Sequence, residues 1–110
     1  MKNLFAYATL LLLLASCGNP NEVSKSFLVY GNCMMCEETI EGAFLENHTI
    51  QLADWDRHTK QFKVTYDSTL TNLASIKQNI ANVGYDTEEY RARQSTYDSL
   101  HICCKYKRPE

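Results

Sequence analysis

Proline and positive charge are what this chain has little of. Its only prolines are Pro20 and Pro109, so residues 26–90 contain none. That counts against a thioredoxin-type oxidoreductase, whose fold sets a proline facing the thiols of its C-x-x-C pair. Lysine and arginine number 11 against 13 aspartates and glutamates, a net charge of −2. Without a basic stripe to neutralise phosphates, nucleic acid is not an expected partner. Long apolar runs are also missing, apart from Leu4 to Leu14, which is too short to cross a bilayer as a stop-transfer helix. The chain's 110 residues leave room for one domain.

What is present begins with a leader. Met1-Lys2-Asn3 is a short basic start, the Leu/Phe/Ala-rich run follows, and Leu14-Ala15-Ser16-Cys17 comes at once. This order reads as a secretory signal, and its last four residues resemble the bacterial lipobox, cut before an acylated cysteine. The expectation is therefore a lipoprotein signal peptide over 1–16 and lipidation of Cys17, with 17–25 as a polar, lipid-anchored tether. It places the protein in the cell envelope, held to a membrane and facing the periplasm or the cell surface. An ordinary signal peptide would leave Cys17 as a spare thiol, an awkward group in an exported protein. Four thiols remain, Cys33, Cys36, Cys103 and Cys104, in a compartment where disulfides can persist.

The middle of the chain carries two periodicities. Ser26 to Tyr30 is a β-run ending at Gly31. Cys36, Ile40, Ala43 and Phe44 then recur at helical spacing, with Glu37, Glu38 and Glu41 in the first turns where the helix dipole favours acids. Thr49 to Asp56 is strand-like, with a slip in alternation at Leu52-Ala53 that suggests a bulge. A turn at Arg57 to Lys60 leads into Gln61–Tyr66, whose Phe62, Val64 and Tyr66 share one face. Leu70, Leu73, Ile76, Ile80 and Val83 predict a second helix, with Thr69 or Thr71 as N-cap and Gly84 as its stop. Tyr85 to Tyr90 reads as a fourth strand. The order is βαββαβ, an α+β, ferredoxin-like sandwich with two helices on one face of a four-stranded antiparallel sheet. In that topology the end of the first strand and Tyr85 are neighbours.

The chemistry concentrates in Gly31-Asn32-Cys33-Met34-Met35-Cys36, a strand-to-helix turn. Two thiols three positions apart converge there, and the free N–H groups of the new helix favour their thiolates. Such a pair suits a soft ion of low coordination number, or redox chemistry, or a structural disulfide. Residues 91–110 form a tail with the vicinal pair Cys103-Cys104, long enough to reach the loop. These two thiols either join a three- or four-thiolate site, which widens the choice to Zn(II) or Cd(II), or form disulfides. Met34 and Met35 add thioethers, one expected as core filler and one at the surface. His48, His58 and His101 are expected at the surface, and Lys105, Lys107 and Arg108 as a solvated end.

This pattern resembles the heavy-metal-associated domain of copper chaperones, of the periplasmic mercury-binding protein and of copper-transporting ATPases. The resemblance runs from about Ser24 to Tyr90, with the domain itself expected over 26–90, and rests on G-N-C-M-M-C, on V-T-Y-D at Val64 to Asp67 and on N-V-G-Y-D at Asn82 to Asp86. It implies Cys33 and Cys36 as metal ligands, with Tyr85 and Met34 around them. The family's Gly-Met-x-Cys-x-x-Cys is one residue shorter here and lacks its Met, whose place beneath the loop falls to Met34 or Met35. The implied function is Cu(I) carriage or sequestration by thiolate exchange with a metal-transporting ATPase or efflux protein. Hg(II) or Zn(II) scavenging and thiol–disulfide exchange are the alternatives, and no catalysis is implied.

Overall fold

The structure is a computed structural model that describes residues 19–110, so the expected signal peptide and Cys17 lie outside the described residues. Its elements are β1 (Glu22–Leu28), α1 (Met34–Gly42), β2 (Ile50–Trp55), β3 (Gln61–Asp67), α2 (Leu73–Asn82), α3 (Gln94–Asp98) and a 3₁₀ turn, Ile102–Cys104. The sheet is antiparallel in the order β1-β3-β2. β1 starts four residues ahead of its expected place, because Glu22 to Lys25 pair with Asp67 to Val64. The end of the predicted tether is therefore strand. A register shift between Ile50 and Leu52 puts the bulge one step ahead of the Leu52-Ala53 slip.

One apolar cluster holds the elements together. Phe62, Val64 and Tyr66 from β3 meet Ile40 from α1, Phe44 just past the end of that helix, and Ile76 and Ile80 from α2, all buried. Period 2 on the strand and period 3.6 on the helices thus address the same core. α2 starts at Leu73 behind Asn72, whose Oδ1 accepts from Ser75 N–H at 2.9 Å. The N-cap is this Asn rather than Thr69 or Thr71, since it is the side chain that reaches the free N–H. Gly84, at φ +106°, ends the helix in the left-handed region that glycine enters at little cost.

Where a fourth strand is predicted there is a single antiparallel bridge, Val29 to Thr87. The chain then reverses: Thr87 N–H donates to Tyr90 O, and Tyr90 N–H to Thr87 Oγ1. This reversal sends the tail back across the domain, and Cys104 and Tyr106 enter the same core cluster. No helix among the described residues is long and apolar enough to cross a membrane.

Candidate metal centre

The thiol loop is held from below by Trp55. Its ring lies so close to Gly31 that a Cβ there would meet ring carbons at 2.8 and 2.9 Å, and its Nε1 donates to Val29 O at 3.0 Å. This indole, not Met34 or Met35, takes the space beneath the loop, and both methionines are exposed. Cys33 is the N-cap residue of α1, extended at φ −144° and ψ 175°. Its sulfur makes no capping hydrogen bond and is turned to the other thiols instead.

Four cysteine sulfurs gather at this point. Cys33 Sγ lies 3.4 Å from Cys36 Sγ, 3.4 Å from Cys104 Sγ and 3.7 Å from Cys103 Sγ, and Cys103 and Cys104 are 3.9 Å apart. The sulfurs of Cys33, Cys103 and Cys104 all fall within 4.8 Å of one another. These separations are far beyond the S–S bond length of about 2.0 Å. Those among Cys33, Cys103 and Cys104 approach the S···S edge of about 3.8 Å between ligands of one metal with metal–sulfur bonds of about 2.3 Å, and Cys36 joins this group through Cys33. Cys36 and Cys104 are buried, Cys33 is half-buried and Cys103 is exposed. All four are free thiols, so the tail pair has joined the loop pair in space and neither has closed a disulfide.

The electrostatics put the first negative charge on Cys33. Burial pushes its thiol up, but the facing backbone N–H of Cys36 and the thiols of Cys104, Cys36 and Cys103 outweigh that and bring it down to about 7. Cys104 moves the other way, raised by burial and then by the sulfurs of Cys33 and Cys36. Cys103 is raised by burial and by Cys33. Cys33 is thus readier to ionise than the tail pair, and Cys103 and Cys104 keep their protons. A cation is needed to drive those protons off.

Tyr85, fully buried, is stacked on Tyr106 with ring centroids 5.5 Å apart. Burial, with Cys36 and Cys104 beside it, pushes its hydroxyl well above the usual tyrosine range, so it stays a neutral donor. Among the described residues that hydroxyl has no hydrogen-bond partner. The expected adjacency of Tyr85 to the loop is observed, and Tyr30 N–H donates to Asp86 O at 2.9 Å to seal it. Met34 makes no hydrogen bond with the cysteines, whereas the Cys103 thiol points at Met35 Sδ across 3.2 Å. Asn32 Oδ1 accepts from the Cys36 thiol at 3.2 Å. His48, His58 and His101 are exposed, as expected.

The tail is anchored by groups whose importance local sequence patterning does not reveal. Asp86, fully buried, accepts from Arg108 Nε and Nη2 at 2.8 Å each and from Ala92 N–H at 2.7 Å. Burial opposes the charge, but Arg108 and the Ala92 N–H hold this carboxyl below its usual range. Tyr106 Oη donates to Gly84 O and accepts from Asp86 N–H, and Tyr97 Oη donates to Tyr106 O at 2.6 Å. Lys105 Nζ donates to the carbonyls of Tyr97 and Asp98. Arg108 and Lys105 are therefore structural, not the solvated end expected of them. A depression of about 650 Å³ between Gly42 and Thr49 holds none of the sulfurs.

No family model and no curated relative matches the sequence. Solved structures do, and they define the class: the fold, with its two-thiol loop at the strand-to-helix turn, is that of a heavy-metal-associated domain. The chain is similar to the CopZ metallochaperone at 26% identity and TM-score 0.56, covering 59% of its own length and 98% of that chain. It is similar to a copper form of CopA from Bacillus subtilis at 25% identity and TM-score 0.51, over 63% of its own length and 95% of that chain. Oxidized MerP from Ralstonia metallidurans CH34, at 20% identity and TM-score 0.51 over 60% and 96% of the two chains, shares the fold.

Proposed function

We propose that this protein binds one soft, thiophilic metal ion, Cu(I) foremost, in a cage made by Cys33, Cys36, Cys103 and Cys104. The observation that carries this reading is the meeting of thiols from two segments about 70 residues apart, with Cys33 Sγ 3.7 Å from Cys103 Sγ and 3.4 Å from Cys104 Sγ. Sulfur ligands select soft ions, and three or four of them enclose an ion more fully than the loop pair alone. Likeness to a metallochaperone and to a copper form of CopA supports Cu(I) as the cargo. The enclosed cage favours holding the ion over quick release. Function is thus sequestration, with transfer to a cysteine-bearing transporter or efflux protein by ligand exchange, and no covalent chemistry on a substrate. The leader places this activity in the cell envelope, on a lipid at Cys17.

Competition between the reduced protein and a Cu(I) chelator tests the reading. One equivalent held far more tightly than by a Cys103→Ser/Cys104→Ser variant is the expected result. Equal affinity in the two proteins overturns the cage, and absence of Cu(I) uptake overturns metal handling altogether. Dithiol oxidation that survives exhaustive chelation would assign the thiols to redox exchange.

A further inference from the structure

The sulfurs of the cage are graded in exposure, and a fifth sulfur lies on their outer side. Met35 is 42% exposed, and the Cys103 thiol, itself exposed, donates its proton to Met35 Sδ across 3.2 Å. Cys103 Sγ is in turn 3.7 Å from Cys33, which touches both buried thiols, Cys36 and Cys104, at 3.4 Å. Solvent therefore meets a thioether and a thiol first, and the inner thiols only behind them.

Resting on the metal-binding reading above, we infer that Met35 and Cys103 form a landing site for a monovalent soft cation, through which the ion enters and leaves the inner cage. The proton between Cys103 and Met35 marks where two soft lone-pair donors already point at each other. A neutral thioether adds no charge, so it binds divalent ions weakly but suits Cu(I) or Ag(I). Two metal–sulfur bonds of about 2.3 Å need the sulfurs to open from their present separation. Methionine's rotatable, exposed side chain can make that movement without disturbing the core.

The exchange balances simply. A bond from the ion to its donor breaks as bonds to Cys103 Sγ and Met35 Sδ form, and the Cys103 proton passes to water. Cys33 thiolate, and then the buried thiols, replace Met35 and shed their protons in turn. Because Met35 is a ligand only in transit, it leaves the equilibrium affinity to the thiolates. By reversibility it speeds entry and exit by the same factor.

The test offers Cu(I) as its coloured complex with bicinchoninate to the reduced protein and to Met35→Leu, following loss of colour. Loading and unloading slow by about tenfold in Met35→Leu while the affinity changes by less than about threefold, the signature of a port rather than a ligand. In the wild-type chain with methyl-labelled methionines, the Met35 methyl resonance shifts on addition of Ag(I) below one equivalent, and the Met34 methyl serves as reference. Equal rates in Met35→Leu, or a Met35 methyl that does not move while one equivalent binds, overturns the port and leaves the cage intact. No transfer to the wild-type protein overturns both.

Discussion

At Gly31 the backbone has space for a hydrogen and nothing larger, because the Trp55 ring stands 2.8 Å from where a Cβ would go. The ring cannot step aside freely, since its Nε1 is bonded to Val29 O and the residue is 1% exposed. Gly31→Ala is therefore an overpacking change costing about 1–3 kcal/mol, and it tilts the loop that carries Cys33. Chemical denaturation of the two proteins measures this, and an unchanged midpoint would show that the indole yields. Tyr85 makes the opposite kind of prediction. Among the described residues its hydroxyl, buried beside Cys36 and Cys104, has no partner, a cost that Tyr85→Phe removes. Without metal the variant is as stable as wild type or more so, by about 1 kcal/mol. With Cu(I) bound, the thiolates become acceptors for that hydroxyl, and the variant loses about tenfold in affinity. Denaturation of the metal-free proteins and a competition titration read the two signs separately.

Among the elements, the tail's attachment turns on one buried ion pair. Arg108→Leu leaves the Asp86 carboxylate buried without its cation and destabilises the protein by about 3–5 kcal/mol, with the tail losing its docking first. Since Arg108 and the Ala92 N–H depress the Asp86 pKa in the folded state, this contribution is fully present above the unfolded value of about 3.9. It is lost as pH falls through the lower folded value. Amide exchange of Cys103 and Cys104 followed through an acid titration measures the loosening. In Arg108→Leu it moves to higher pH, because without the guanidinium burial raises the carboxyl.

Much of this architecture can be read from the chain alone. Phe62, Val64 and Tyr66 alternate, Ile76 and Ile80 recur at helical spacing, and Gly84 stops α2 in the conformation glycine tolerates best. The loop thiols and Tyr85 follow from topology, because the first strand and the chain after α2 meet at one edge. The rest depends on partners far apart in sequence. Nothing local says that Trp55, 24 positions after Gly31, lies beneath the loop in place of a methionine. Nothing local says that Arg108 neutralises Asp86, so a basic chain end passes for solvated surface. The short fourth-strand segment has strand-like residues, but Asp86 is bonded by the returning tail and the ladder stops after one bridge.

For the molecule as a whole, the sulfur cage joins two parts of the chain that the core also joins. Cys33 belongs to the turn into α1 and Cys103 to the far end of the tail, with their sulfurs 3.7 Å apart. An ion bound by both closes a loop of about 70 residues, and such a clip opposes every opening that separates tail from domain. Binding only to the folded state raises stability by about 2.7 kcal/mol when free ion is a hundredfold above the dissociation constant. That gain is unevenly spread. Amide protection on adding Cu(I) rises over 31–36 and over 94–106, where the openings break metal–sulfur bonds, and hardly changes in the β2–β3 hairpin, which carries no ligand. Stripping the metal with a chelator reverses the pattern. In Cys103→Ser/Cys104→Ser the gain over 94–106 disappears while that over 31–36 persists. A gain confined to 31–36 in the wild-type protein would show the ion held by the loop pair alone, with the tail thiols as packing.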